Sequence, residues 1–202
     1  MSAIISNPFG FLFSPRKQWQ KVSELSDSSL ASKLLYPIVL AAGPCIAWYY
    51  GASRIGWTVG DGEIVRLTDQ SALQIVVAFY FAMLVSLAII GYSINWMSET
   101  YGANSSIMKG MVVAGYTATP LFIAGLVGFY PVFWVDLALG IAALGWAVYL
   151  LYLGIPLVMG IPEDRGFLYA SAVVAICMVI FMALMGCVVI LWDMGITPVF
   201  TD

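Results

Sequence analysis

The chain has 202 residues, of which 62% are hydrophobic and only 9% are charged, and its formal net charge is −3. A soluble domain carries about 25% charged residues, so this composition cannot cover a water-facing surface and predicts an integral membrane protein. The sequence contains no histidine, which excludes serine–histidine catalysis and histidine metal ligands.

Residues 1–33 precede the first long apolar segment, and we expect them to form an arm on the cytoplasmic side. The arm has no apolar stretch long enough for a cleavable signal peptide, so the first spanning helix is expected to act as its own insertion signal. Ser14 followed by Pro15 favours a helix start, with a hydroxyl at the N-cap and proline at the first helical position. Trp19 and Val22 follow at three-residue spacing and predict an amphipathic helix.

Two interpretations of the arm remain open. In the first, its helix lies on the cytoplasmic leaflet with its basic groups near anionic lipid headgroups. In the second, the arm is a short structured tail that packs against the other helices. The membrane-surface residues of the first interpretation are Arg16, Lys17, Trp19 and Lys21.

Five apolar segments are long enough to cross a bilayer, which takes about 20 mostly apolar residues. They are residues 34–50, 72–97, 111–130, 132–159 and 167–192. The third and fourth segments are separated only by the residues around Pro131, which predicts a tight helical hairpin. We therefore predict an all-α fold, a polytopic bundle of five transmembrane helices over residues 34–202 with a short amphipathic segment before it.

The distribution of basic residues predicts the orientation of this bundle. With the N-terminus in the cytoplasm and the C-terminus in the periplasm, six lysine and arginine residues lie inside and two outside, as the positive-inside rule requires. The inside residues are Arg16, Lys17, Lys21, Lys33, Lys109 and Arg165, and the outside residues are Arg54 and Arg66.

Pro120 interrupts the third span, because proline leaves the carbonyl of Tyr116 without its helical donor and bends the helix. We expect the hydroxyl of Thr119 to return to the carbonyl of Tyr116 or Gly115 and so repair the break. Gly115 and Thr119 also share one face at four-residue spacing, which allows another helix to approach closely. This face is predicted to contact a helix of the same chain or of a second subunit.

A second group of polar residues lies in the fourth span, where the sequence YLLYLGIP at 149–156 places Tyr149, Tyr152 and Pro156 on one side. Such groups act either as interhelical contacts, which we favour, or as the lining of a solute path. The residues assigned to helix packing or to such a path are Gly115, Tyr116, Thr117, Thr119, Pro120, Tyr149, Tyr152 and Pro156.

Asp136 stands alone near the predicted start of the fourth helix, where an acid complements the helix dipole. We interpret it as a residue that stabilises the helix start. The centres of the predicted helices hold no acidic or basic side chain, which weakens any proton-coupled transport mechanism. We expect no catalytic residues, no metal site and no cofactor.

Three stretches carry a resemblance to a known family: NPFGFLFSPRKQWQ at 7–20, GYTATPLF at 115–122 and YLLYLGIP at 149–156. Together they resemble the bacterial inner-membrane branch of the Yip-domain family. The resemblance implies five helices, an inner-membrane location and a cytoplasmic N-terminus. Eukaryotic relatives associate with Rab GTPases and with one another, and they carry a longer arm with an acidic, tyrosine-containing motif. That motif is missing here, so Rab binding is not transferred to this chain.

Three functions remain in view. The first is a non-enzymatic membrane scaffold that organises partner proteins or lipids, and the second is a channel or carrier for a small or lipidic solute. An enzyme acting on lipid is the least favoured, because histidine is missing and the acids are isolated. The expected partners are the lipid bilayer and either further copies of the chain or other membrane proteins, with no nucleic acid. A continuous polar cavity at Thr117, Thr119 and Tyr152 would favour transport, and a dry interior would favour the scaffold.

Overall fold

The computed structural model describes residues 8–58, 62–195 and 197–201. Nearly all the regular structure in these residues is helical. The N-terminal part comprises α1 (Pro8–Phe13), α2 (Pro15–Ser23), α3 (Asp27–Lys33), α4 (Leu35–Tyr50), a π-helical turn (Gly51–Ile55) and the short strands β1 (Trp57–Thr58) and β2 (Ile64–Val65). The remainder comprises α5 (Asp69–Met97), α6 (Ile107–Thr117), α7 (Thr119–Ala124), a 3-10 turn (Gly125–Phe129), α8 (Phe133–Met159) and α9 (Glu163–Asp193).

Five helical spans are long and apolar enough to cross a membrane, which agrees with the predicted all-α polytopic fold. The first span joins α3, α4 and the π-helical turn, and the third joins α6, α7 and the 3-10 turn. The spans cover Asp27–Ile55, Asp69–Met97, Ile107–Phe129, Phe133–Met159 and Glu163–Asp193. The "arm side" of the bundle denotes the end with α2 and residues 98–106 and 160–162. The "hairpin side" denotes the end with residues 56–58, 62–68, 130–132, 194–195 and 197–201.

The second, third and fifth spans begin three or four residues before the starts predicted from hydropathy. The first turns of the second and fifth spans are polar, and that of the third contains Lys109. Hydroxyl caps begin the second and third spans. The Thr68 hydroxyl accepts a hydrogen bond from the Ser71 N–H at 3.3 Å, and the Ser106 hydroxyl accepts one from the Lys109 N–H at 3.3 Å. Such caps satisfy amides that the first helical turn leaves unpaired. At α2 the predicted start holds, although the Ser14 side chain forms no cap bond.

The main hydrophobic core lies toward the arm side and includes side chains of the arm itself. A hydrogen bond of 2.8 Å from the Ser106 hydroxyl to the Asp27 carboxylate ties the start of α3 to the start of α6. The arm therefore shares its core with the spanning helices. The largest fully buried side chains include Phe11, Trp19, Val22, Leu30, Ile94, Val112, Val113, Tyr116, Leu150, Ile155 and Tyr169.

The outer faces of α5 and α9 expose many large apolar side chains. Such faces are expected where helices meet lipid chains rather than water, because exposure of apolar area to water is unfavourable. They form the broad apolar surfaces of the bundle. Examples are Phe79, Phe81, Val85 and Ile89 on α5, and Phe181, Met182, Val189 and Ile190 on α9.

The hairpin side is closed by extended segments. Strands β1 and β2 pair in an antiparallel arrangement, and the chain near the C-terminus returns to the segment that follows β2. The Thr68 N–H donates to the Val199 carbonyl at 2.9 Å, and the Thr201 N–H donates to the Arg66 carbonyl at 2.9 Å. These bonds tie the chain beyond α9 to the chain before α5.

Candidate functional site

The third span breaks where the sequence places Pro120. Helices α6 and α7 are separated by one residue, and Pro120 lies in the first turn of α7. The Thr119 hydroxyl does not return to the carbonyl of Tyr116 or Gly115 as expected. Thr119 is fully buried. Its Oγ1 atom lies 3.1 Å from the hydroxyl of Tyr36, which belongs to α4 in the first span. The hydrogen bond expected within the third span is therefore replaced by a hydrogen bond between the third span and the first.

The glycine face of the third span lies against the first span of the same chain. A Cβ atom built on Gly115 would lie 2.7 Å from Cγ of Pro37. Farther along the same pair of spans, a Cβ on Gly125 would lie 2.8 Å from Cβ of Pro44. Real Cβ atoms do not approach other atoms so closely, so a larger residue at either glycine would force the helices apart. The contact surface predicted around Gly115 is thus placed within one subunit.

Four aromatic rings from three separate segments pack together where the break occurs. We call Phe11, Trp19, Tyr36 and Tyr116 the aromatic cluster. Ring centroids are 4.9 Å apart for Phe11 and Trp19, and 5.0 Å apart for Phe11 and Tyr116. Tyr36 and Tyr116 are stacked at 4.6 Å. Such aromatic pairs add about 0.5–1.5 kcal/mol each to the effect of burial, so the cluster holds the arm to the first and third spans.

The fourth span completes this cluster at Gly154. A Cβ atom on Gly154 would lie 2.6 Å from Cε2 of Trp19, so the indole occupies the space of a side chain on α8. The Trp146 indole N–H also donates to the Phe11 carbonyl at 3.3 Å. The three stretches that carried the family resemblance therefore meet at one place in the fold.

The assignment of Trp19 to the membrane surface is corrected by this packing. Trp19 has 0% exposure, because its ring is enclosed by the arm and by α8. Arg16, Lys17 and Lys21 are exposed. Lys17 and Lys21 lie on the side of α2 away from Trp19, and Arg16 lies at the edge of the packed face, beside the start of α9. The apolar face of the arm helix contacts protein, and its cations remain free to meet lipid headgroups.

One of these cations has an acidic neighbour. Arg16 lies 3.9 Å from Glu163, and both side chains are largely exposed. An exposed ion pair of this kind contributes little to stability. The exposed basic residues of α2 therefore keep most of their positive charge available, because this weak ion pair with Glu163 does not neutralise them.

A groove gathers the polar residues of the fourth span. Tyr149, Tyr152 and Pro156 line a cavity of about 640 Å³ that also contacts Arg16 and Phe167. The hydroxyl of Tyr152 lies 2.8 Å from the hydroxyl of Ser171 on α9. This groove lies between α2, α8 and α9 on the arm side.

The residues proposed to line one solute path are thus divided between two places. Tyr152 belongs to the groove, whereas Thr119 has 0% exposure and belongs to the contact with the first span. Thr117, two residues earlier, has a buried hydroxyl oxygen without a hydrogen-bond partner in the part of the chain that the structure describes. These positions do not form one shared lining.

Sequence reasoning missed Tyr36 and the role of Gly154. The close contact at Gly154 could have been predicted, because glycine is the small residue in the stretch YLLYLGIP and small residues mark close helix contacts. Tyr36 gives no local indication, since its partner Thr119 lies 83 positions away.

The amino-acid sequence is similar to that of a known family and of two known proteins. Residues 9–184 match the Yip1 domain family. The chain is also 36% identical to "Inner membrane protein YohC" of Escherichia coli strain K12 over 191 residues, which cover 95% of this chain and 98% of that protein. The protein of the same name from E. coli O6:H1 gives the same values. No solved structure matches the chain significantly.

Proposed function

The chain belongs to the Yip1 domain family, and from this premise we propose that it is a non-enzymatic scaffold of the bacterial inner membrane. In this role it organises partner proteins or lipids around its bundle and its arm. The location is supported by the name of the E. coli relatives, which describes an inner membrane protein.

The observation that carries the proposal is the close packing of the Trp19 indole against Gly154. It fixes α2 to the bundle and so holds the exposed basic residues Arg16, Lys17 and Lys21 together as one surface. Each basic residue near an anionic membrane surface contributes about 1 kcal/mol of attraction. A rigid group of three such residues can therefore hold anionic headgroups beside the bundle.

Packing around the break in the third span also supports a scaffold. Tyr116 and Thr119 are buried, and the Thr119 hydroxyl is engaged with Tyr36. Close packing at the positions first considered for a solute path is what a structural role requires.

The orientation is part of the proposal. With α2 in the cytoplasm, the basic surface meets the leaflet whose anionic lipids attract polybasic segments. The exposed apolar faces of α5 and α9 are then available to lipid chains, to further copies of the chain or to other membrane proteins.

Lipid organisation is tested with the full chain in vesicles that contain a self-quenching fluorescent anionic lipid. We expect the protein to concentrate this lipid and lower its fluorescence. The triple variant Arg16→Gln, Lys17→Gln, Lys21→Gln should lose most of the effect, and salt should weaken it by screening. The matched control is Arg66→Gln, which removes a cation from the hairpin side.

The same vesicles are crosslinked to reveal self-association, and the protein is crosslinked in cells to reveal other membrane partners. A chain that neither concentrates anionic lipid nor forms any specific protein contact contradicts the scaffold.

A second candidate, a carrier for a lipidic solute, is favoured by the groove that contains Tyr149 and Tyr152. This function predicts that the protein accelerates movement of labelled lipid between leaflets. Tyr149→Ala, which enlarges the groove, should change that rate, whereas Gly140→Ala on the same helix should leave it unchanged. Equal rates in protein-free and protein-containing vesicles exclude the carrier.

A further inference from the structure

A separate cavity lies on the hairpin side, between the first, second and fourth spans. It has a volume of about 310 Å³, and its wall includes Trp48 of α4, Trp57 of β1, and Phe133 and Asp136 of α8. Small-molecule sites have volumes of about 300–1,000 Å³ and combine apolar walls with a few polar groups. This cavity has that composition at the small end of the range.

Asp136 carries the polar chemistry of the cavity. Its Oδ1 atom is buried and has no hydrogen-bond partner among the described residues. Burying a carboxylate oxygen without a partner is unfavourable, and such atoms in native proteins call for an explanation. The position of Asp136 in the first turn of α8 suits a negative charge, but the helix dipole supplies no donor to Oδ1.

The nearby cations of the hairpin side are engaged elsewhere. The guanidinium of Arg54 lies 3.1 Å from the Asp69 carboxylate. The Nε–H of Arg66 donates to the Ile55 carbonyl at 3.2 Å. Among the described residues neither arginine forms an ion pair with Asp136, and the Oδ1 atom remains available to a ligand.

We propose that this cavity binds an organic ammonium ion that carries an N–H group and small apolar substituents. The N–H donates to the Asp136 carboxylate in a charge-assisted hydrogen bond. The indoles of Trp48 and Trp57 attract the positive charge through their ring faces. The remaining wall is mainly apolar and receives the alkyl groups.

The same wall disfavours a hydrated metal ion. Calcium takes about 6–8 oxygen ligands, and Asp136 is the one carboxylate among the described residues of the wall. A fully substituted ammonium is also disfavoured, because it satisfies the charge but offers no hydrogen to Oδ1.

The experiment uses the full chain in lipid nanodiscs and triethylammonium as the probe, with saturation-transfer NMR giving the dissociation constant. We expect saturable binding by the parent. Asp136→Asn should bind about tenfold more weakly or worse, since a hydrogen bond to a charged group is lost. Glu63→Gln is the matched control, because it removes an acid from the same side outside the cavity, and it should change binding less than about twofold.

A second probe separates the hydrogen bond from the charge alone. Tetraethylammonium has the charge and the alkyl groups but no N–H, so it should bind several-fold more weakly than triethylammonium to the parent. The two probes should bind Asp136→Asn with similar, weak affinity. Equal affinity of both probes for the parent overturns the N–H assignment.

The nanodisc composition distinguishes a free amine from a lipid headgroup. Discs of phosphatidylethanolamine offer a competing ammonium with N–H groups, whereas discs of phosphatidylcholine have the same net charge and a headgroup without N–H. Weaker triethylammonium binding in the ethanolamine discs assigns the site to lipid, and equal binding in both assigns it to a free amine. Either result retains the ammonium site.

Thermal unfolding of the parent and of Asp136→Asn without ligand tests whether weaker binding by the variant results only from a loss of stability. Asp136→Asn should unfold at nearly the same temperature as the parent, because the lost interaction with the helix dipole is offset by the removal of a charge whose Oδ1 atom is buried without a partner among the described residues. No saturable binding by the parent, or equal binding by the parent and Asp136→Asn, overturns the proposal. These outcomes leave the scaffold function untouched, since that function depends on α2 at the opposite end of the bundle.

Discussion

The indole of Trp19 occupies the space that a side chain at position 154 would need. Glycine at this position is therefore required by a close approach and not by backbone conformation. Because the contact joins the arm to α8, a single added side chain is expected to act on a whole helix.

We predict that Gly154→Leu lowers the unfolding free energy by about 1–3 kcal/mol, the usual range for overpacking. It should also release α2, so that trypsin cleaves faster after Lys17 and Lys21 in detergent. Gly145→Leu is the control on the same helix, because no atom lies within 4 Å of a Cβ at that position. Equal stability and equal cleavage in the two variants would show that the Trp19 contact does not hold the arm.

We predict that Gly115→Leu is severely destabilising, because its side chain would collide with Pro37. Thr119→Val keeps the shape of the side chain and loses only the bond to Tyr36, so it should cost about 0.5–2 kcal/mol, as hydrogen bonds in membrane proteins do. Detergent unfolding of both variants measures these effects.

Tyr36→Phe tests whether the hydrogen bond between Tyr36 and Thr119 accounts for the effect of Thr119→Val. Its effect and that of Thr119→Val should be less than additive in the double variant, because both remove one bond. Additive effects would contradict the bond, and a Thr119→Val variant with full stability but altered transport would favour a solute path.

At the scale of elements, the end of α5 is closed by a side chain from α9. The Tyr169 hydroxyl donates to the carbonyl of Ile94, and the Tyr169 ring stacks on Tyr101 at 4.7 Å. Ile94 lies in the last turn of α5, where carbonyls lack helical donors. One residue thus caps the second span and fixes its contact with the fifth.

We predict that Tyr169→Phe destabilises the protein by about 1–3 kcal/mol, because it leaves a buried carbonyl without a donor. Amide hydrogen exchange should increase most in residues 94–103, around the uncapped end of α5. Tyr92→Phe, at an exposed position on the same helix, is the control and should change neither quantity. Uniform exchange changes across all spans would argue against a local cap.

The sequence predicted the number and approximate extent of the spans, because apolar length alone identifies a transmembrane helix. It placed the starts at 72 and 167 too late, since hydropathy does not detect polar first turns such as the one capped by Thr68. It placed the start at 111 too late because Lys109 interrupts the apolar run. The break at Pro120 was predictable from the chemistry of proline. The partner of Thr119 was not, because it depends on which helix lies opposite in three dimensions.

The arm shows the same limit more clearly. Its amphipathic pattern predicts one apolar face and one basic face, and both are found on α2. Periodicity cannot say whether the apolar face meets lipid or protein, because both are apolar surroundings. That choice was settled by shape, since Gly154 leaves room for an indole.

At the scale of the whole molecule, we predict a cytoplasmic N-terminus and a periplasmic C-terminus. Reporter fusions in a bacterial cell should read periplasmic after Gln70 and at the C-terminus, and cytoplasmic after Asn104 and Asp164. The physical reason is the excess of lysine and arginine on the arm side. A reproducible reversal at any one of these positions contradicts the orientation.

The contact of the arm with α8 also has a consequence for biosynthesis. Phe11 and its partner Trp146 lie 135 positions apart, and a ribosome adds about 5–20 residues per second. At that rate the arm emerges roughly 7 to 27 seconds before the part of α8 that it contacts. During that interval its apolar face lacks the contact with α8, and until Tyr116 is made it also lacks the contact with the third span. The nearest other apolar surroundings are those of the bilayer surface. The nascent arm and the mature arm thus have different neighbours, with lipid first and α8 afterwards.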